Sequence, residues 1–183
     1  MRIEETGFPE VKILTPQRFS DQRGWFAETW NRRSFVEDGM SVDFVQDNVS
    51  HTGPKGVIRG LHYQADPCAQ AKLVQVLRGR VLDVVVDIRR SAPTFGRHVM
   101  VELDAASGHM LYVPRGFAHG FCTLEEDVLF AYKVSDYYAP LNDRAILWSD
   151  PDLDIPWPVD QAKIIVSAKD GAAPRLQHAT GLF

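Results

Sequence analysis

An all-β fold, built as an antiparallel sandwich or barrel, is what this sequence predicts. Three features predict it: short β-rich runs recur along the chain, turn clusters with Gly and Pro separate them at regular spacing, and only one stretch has a helical signature. The clearest runs are 72–77 and 81–88, rich in Val and Leu and joined by Arg78-Gly79-Arg80, a connection that suits a hairpin. Further runs follow at 97–103, 109–113, 128–135 and 145–148, with turn clusters at 90–93, 104–108, 114–116 and 139–142. Near the N-terminus Val11-Lys12-Ile13-Leu14 is β-like and reads as an early edge strand in need of a partner. The helical stretch is 31–38, with charges spread along it and Gly39 as its stop signal. The last forty residues carry Pro151, Pro156, Pro158 and Pro174 and few sheet-like runs. They read as a tail of loops and short helical turns, about 151–183, packed on a β core of about 10–150. Residues 1–183 are expected to form one domain.

Composition narrows the function classes. Of 183 residues 45% are hydrophobic and 24% charged, enough apolar material for a real core. A formal net charge of -4 argues against a nucleic-acid or polybasic membrane role, though not against a local basic pocket. No apolar run approaches the roughly 18 residues of a membrane helix; the densest stretch, 81–88, is interrupted by Asp83 and Asp87. The N-terminal residues lack the apolar segment of a signal peptide. Two cysteines, Cys68 and Cys122, are too few for a disulfide framework, so a reduced cytoplasmic setting is expected and the sequon Asn48-Val49-Ser50 reads as accidental.

Chemistry-bearing residues sit on or beside the strands. Gly56–Gln64, GVIRGLHYQ, places Arg59 and His62 next to glycines. Strand alternation puts Lys72 on the face of Val74 and Val76, so it lies either at an exposed strand end or in a polar cavity. Phe130, Tyr132 and Val134 share a face, and Tyr132 is either a core residue or a functional phenol. Pro114-Arg115-Gly116-Phe117-Ala118-His119 resembles the second motif of cupin barrels, whose His faces inward. The first cupin motif needs two His and a Glu; here His62-Tyr63-Gln64 has one His, and no Glu lies within 65–71. No metal is therefore expected. Asp150, Asp152 and Asp154 lack the glycine of a calcium loop and read as a solvated turn.

Eight stretches in series carry a closer resemblance: DQRGWFAE from Asp21, FVQDN from Phe44, RGLHYQ from Arg59, the run from Gln70 to Arg89, SAPTFG from Ser91, PRGFAHGF from Pro114, YKVSDYYAP from Tyr132 and SAKDGAAP from Ser167. Together they resemble the dTDP-4-dehydrorhamnose 3,5-epimerases, metal-free sugar-nucleotide enzymes of the cupin superfamily, from about residue 9 to 174. The resemblance implies a cupin jelly-roll with short peripheral helices, no cofactor, and a dTDP-4-keto-6-deoxyhexose substrate. It also implies a homodimer in which an N-terminal strand joins the partner's sheet. It implies His62 as general base and Asp170 as the carboxylate that fixes its tautomer. Lys72 would stabilise the enolate, and Tyr132 would be the acid on the opposite face. Arg23, Arg59 and His119 would meet the diphosphate and sugar. Glu28, Gln46, Asp47, Asn48, Asp143 and Lys169 are further expected substrate contacts, and Phe19, Phe26 and Tyr138 would line or stack on the nucleotide. Two positions depart from the family pattern: Asp143 replaces the usual Glu, and Val49 a common His. The expected reaction inverts C3 and C5 of dTDP-4-dehydro-6-deoxyglucose in rhamnose biosynthesis. A mono-epimerase or ketoisomerase on a related sugar, a metal-dependent cupin and a non-catalytic sugar-nucleotide binder are the competing readings.

Overall fold

The computed structural model describes residues 1–160 and 163–183. Thirteen strands dominate them: β1 Arg2–Glu5, β2 Lys12–Thr15, β3 Arg18–Asp21, β4 Gly24–Ala27, β5 Gln46–Thr52, β6 Ile58–Gln64, β7 Lys72–Arg78, β8 Arg80–Asp87, β9 His98–Asp104, β10 Met110–Val113, β11 Phe117–Thr123, β12 Val128–Val134 and β13 Asp143–Ala145. One sheet runs β1-β2-β10-β7-β12-β5 and faces a second, β13-β6-β11-β8-β9; β3 and β4 form a separate hairpin. The pairings between these thirteen strands are antiparallel, which makes the molecule an antiparallel jelly roll. No helix among the described residues is long and apolar enough to cross a membrane.

Alternation along the strands fills the space between the sheets. Val74 and Val76 from β7 meet Val81 and Val85 from β8, Phe121 from β11 and Phe130 from β12. Residues of opposite parity build outer layers. Val84, Val86 and Ala118 face Leu153, Leu176 and Ala179 of the tail, so the tail covers the outside of the five-stranded sheet. Leu73 and Met110 face Phe35 and Met40 on the other side. Phe35 belongs to helix α1, Arg32–Glu37, whose N-cap Asn31 side chain accepts from the Arg33 N–H and whose end is marked by Gly39 at φ +82°.

Several expectations require correction. Residues 72–77 and 81–88 are strands, but not a hairpin: β7 pairs with β10 and β12, whereas β8 pairs with β9 and β11. Gly79, at φ +80°, is the corner at which the chain passes from one sheet to the other. A Cβ there would lie 2.9 Å from Val128 Cγ2, so close packing as well as backbone sign demands glycine. The run expected at 145–148 is displaced to β13, because only Asp143–Ala145 register against β6. Strand β2 is not an edge: it lies between β1 and β10 of its own sheet, and β1 takes the edge. That strand begins at Arg2, before the expected start of the core at about residue 10.

Candidate active site

A cavity of about 530 Å³ opens between the two sheets, beyond the stacked Phe121 and Phe130 rings whose centroids are 4.2 Å apart. One wall comes from β6, β11 and β13, the other from β5, β7 and β12. The short helix α2, Ala168–Gly171, adds Lys169 and Asp170 from the tail.

The β6 wall depends on a bulge. His119 of β11 registers with His62, and Phe121 registers with Arg59. Gly60 and Leu61 of β6 therefore oppose Gly120 alone. In a regular strand Arg59 and His62 would point to opposite faces; the extra residue brings both to the cavity, while Leu61 packs into the outer layer. Gly60 takes φ +135°, and a Cβ on it would sit 2.5 Å from Gly120 Cα. Only glycine fits this crossing.

His62 Nε2 lies 2.7 Å from Asp170 Oδ1. Ser167 caps α2 by accepting from the Asp170 N–H, and the Gly60 N–H reaches Asp170 Oδ2 at 3.4 Å. Burial pushes the Asp170 carboxyl up, but the His62 hydrogen bond and charge, with Gly60 and Ser167, outweigh it and hold the carboxyl below its ordinary range. Asp170 is thus ionised and accepts the Nε2 proton, which leaves Nδ1 as the basic nitrogen of His62.

Lys72 stands on the facing sheet, 9% exposed, and its Nζ reaches across to the His62 carbonyl at 3.2 Å. Burial brings its pKa down to about 8, and the charges of Asp83 and Asp143 keep it from falling further. His119 is fixed by Asp83, whose oxygens lie 3.0 and 2.9 Å from Nε2. Burial, with Lys72 and His62 nearby, lowers the His119 pKa against the pull of Asp83, so a neutral imidazole donates to this carboxylate. Tyr132 lines the same wall as Lys72. Burial raises its pKa, Arg59 opposes that rise and Asp143 adds to it. At the rim the Asp143 carboxylate accepts from the Tyr138 hydroxyl at 3.2 Å and pairs with Lys169.

Residues 5–178 match the family model described as dTDP-4-dehydrorhamnose 3,5-epimerase. The chain belongs to the dTDP-4-dehydrorhamnose 3,5-epimerase family. Among its relatives, the enzyme of that name from Salmonella typhimurium is 48% identical over 180 residues, covering 98% of this chain and 97% of the relative. The epimerase from Legionella pneumophila, solved in complex with dTDP-4-keto-L-rhamnose, is 44% identical with a TM-score of 0.92, covering 97% and 93% of the two chains. The 3'-monoepimerase ChmJ from Streptomyces bikiniensis, in complex with dTDP-quinovose, is 36% identical with a TM-score of 0.84, covering 92% and 84%.

Of the residues expected at the site of this epimerase, the cavity gathers His62, Lys72, Tyr132, Asp170, Arg59, His119, Tyr138, Asp143 and Lys169. It does not gather Phe19, Arg23, Phe26 and Glu28. The first three lie on the β3–β4 hairpin with Phe19 and Phe26 exposed, Arg23 pairs with Asp21, and Glu28 accepts from Asn31. Asp47 also lies outside the cavity: it faces the outer side of its sheet, where Lys133 of β12 pairs with it at 2.8 Å. Gln46 and Asn48 bond to each other at 2.8 Å, and Gln46 reaches the rim only through the Tyr138 main chain. Among the described residues no group of three His, Cys, Asp or Glu side chains could hold a metal. The expectations missed Asp83, the fully buried partner of His119. Its sequence signal was an Asp at inward parity between Val81 and Val85.

Proposed function

We propose that this chain epimerises a dTDP-4-keto-6-deoxyhexose at C3 and C5, by proton abstraction on one face of the sugar ring and reprotonation on the other. One observation carries the reading: His62, paired with Asp170, and Tyr132 lie on facing sheets of a single cavity, and Lys72 reaches from the Tyr132 sheet to the His62 carbonyl. Each carbon beside the C4 ketone bears an acidified C–H. His62 Nδ1 takes that proton, and the C–H electron pair moves through the new C–C double bond to the ketone oxygen. The Lys72 ammonium, buried in the cavity wall, stabilises the enolate oxygen. Tyr132 is a phenol, protonated at neutral pH, and burial raises its pKa further; its hydroxyl delivers a proton to the opposite face. Exchange with solvent returns His62 to its basic form and the Tyr132 phenolate to the phenol, after which the same steps at the second carbon complete the inversion, with no net oxidation. Arg59, His119 and Lys169 hold the sugar and diphosphate, where guanidinium and ammonium groups match phosphate oxygens.

We also propose a homodimer. The hairpin aromatics Phe19, Trp25 and Phe26 are 56%, 58% and 68% exposed, an apolar surface that a second copy would cover. Such a copy would bring Arg23 and Glu28 to the cavity of its neighbour. A single-chain mass by light scattering at working concentration overturns this assembly. The reaction itself is tested by incubating the protein with the keto-sugar nucleotide in deuterated water and following proton NMR. Loss of both the C3 and C5 proton signals is expected. Loss of only one identifies a mono-epimerase, and loss of neither rejects the reading.

A further inference from the structure

The segment joining β12 to β13 is held by glutamine side chains from three separate parts of the chain. Gln70 Nε2 donates to the Asp136 carbonyl at 2.8 Å. Gln64 Nε2 donates to the Tyr137 carbonyl at 3.1 Å, and Gln64 Oε1 accepts from the Ala139 N–H at 2.8 Å. Gln46 Oε1 accepts from the Tyr138 N–H at 3.1 Å. Each of four successive residues is thus tied by its main chain. Gln64 also donates to the Cys68 carbonyl at 2.7 Å, which couples the segment to a second loop. Gln64 is buried, whereas Tyr137 and Tyr138 are 66% and 57% exposed. A surface loop is ordinarily ordered by its own turns; here the order is imposed from beneath. Primary amides suit the task, since each both donates and accepts and none adds charge beside Lys72 and Asp143.

The side chain this arrangement fixes is Tyr138, whose ring lines the cavity and whose hydroxyl meets Asp143. A tyrosine has only two side-chain torsions, so a held main chain at one end and the Asp143 contact at the other leave the ring little freedom. We propose that Gln64 and Gln70 are positioning residues for substrate binding, holding Tyr138 as a preformed aromatic wall at the cavity mouth for the nucleotide part of the substrate. The proposal rests on the sugar-nucleotide reading above. Preorganisation of this kind enters affinity rather than the chemical step, so freeing the segment raises Kd and KM and leaves kcat in place.

The test uses the full chain with thymidine diphosphate as probe. Gln70→Met and Gln64→Met remove the hydrogen bonds at nearly constant volume, and Gln64→Glu restores the acceptor for the Ala139 N–H. Gln70→Met is expected to weaken thymidine diphosphate about fivefold in calorimetry, with kcat within about twofold. In a Tyr138→Ala background the same change has no further effect. An equal loss in both backgrounds, or a fall in kcat at unchanged Kd, overturns the proposal. Because Gln64→Met strands several buried groups and risks misfolding, Gln70→Met carries the decision. Hydrogen exchange of the Tyr138 and Ala139 amides gives a ligand-free readout. Protection in the wild type and its loss in the variants are expected, and free exchange in the wild type refutes the clamp. A wild type that binds thymidine diphosphate with this coupling yet exchanges neither sugar carbon refutes the epimerase reading alone.

Discussion

Replacing Lys72 by Met separates what the ammonium group does for chemistry from what it costs the fold. Burial brings this lysine from 10.5 to about 8, even with Asp83 and Asp143 nearby. At about 1.4 kcal/mol per pH unit, the protonated lysine is less favourable in the folded than in the unfolded chain by about 3 kcal/mol. The penalty is complete below pH 8, where both states are protonated. It shrinks from 8 to 10.5, where the folded lysine has lost its proton and the unfolded one has not, so this group makes stability rise with pH across that window. Cys122, whose burial pushes it from 9.0 up to about 11, acts in the opposite sense from about pH 9. The informative quantity is therefore the difference between wild type and Lys72→Met, which share Cys122. At pH 7 the variant is expected to match or exceed wild type in urea unfolding by up to about 3 kcal/mol, reduced by what Asp83 loses with its cation. The difference narrows toward about pH 9.5. In the same preparations deuterium incorporation into the sugar falls about 100- to 1,000-fold. A stability difference that does not change with pH refutes the burial penalty, and exchange at the wild-type rate refutes the enolate role.

Three further outcomes follow from the site. Tyr132→Phe keeps the base, so solvent deuterium still enters the sugar while formation of inverted product falls about 100- to 10,000-fold by NMR; inversion at the wild-type rate removes Tyr132 as the acid. Asp170→Asn no longer fixes the Nε2–H tautomer of His62 and lowers kcat about 100-fold or more with KM within about threefold, and steady-state kinetics showing an unchanged kcat reject the dyad. Gly60→Ala drives a Cβ into the Gly120 backbone and costs about 3 kcal/mol, a fall in Tm on the order of 6–12 °C by calorimetry. A shift within about 2 °C means that the ladder absorbs the methyl group.

The strands that alternate cleanly were legible in the sequence. Lys72 and Tyr132 lie on the cavity face because the parity of Val74, Val76, Phe130 and Val134 puts them there. The connection between β7 and β8 was not legible, since a glycine flanked by arginines serves equally for a hairpin and for a corner between sheets. What decides it is the packing of Gly79 on Val128, a contact almost fifty residues distant. Parity likewise fails at Arg59 and His62. Odd separation predicts opposite faces, and only the bulge against Gly120 restores a shared one. Asp170 is beyond any local pattern: the tail must first pack on the outer face of the five-stranded sheet before α2 can offer its carboxylate to His62. For these residues the family resemblance supplied what periodicity withheld. The resemblance says nothing of where a side chain points, and the β12 pairing places Asp47 beside Lys133 on the outer face.

A double-sheet fold answers the stereochemical demand of the proposed reaction. Inversion at carbon requires a base and an acid on opposite faces of one ring, and neighbouring residues of one strand face cannot supply that, since they approach from a single side. Two sheets packed face to face do so by construction, provided that the gap between them stays open at one end. Here the gap is filled by Val and Phe side chains up to the Phe121–Phe130 stack and is left to polar groups beyond it. The separation of His62 from Tyr132 is therefore set by the thickness of a close-packed core rather than by a flexible loop. Polar groups left in such a gap need partners, and they have them: Asp170 with His62, Asp83 with His119, and Lys72 with the His62 carbonyl. Pairing keeps Asp170 charged against the cost of burial, whereas burial itself favours the neutral forms of His119 and Tyr132. Asp170 stays ionised, His119 neutral and the Tyr132 phenol protonated, which is the set of states that the transfer of a proton across the ring requires.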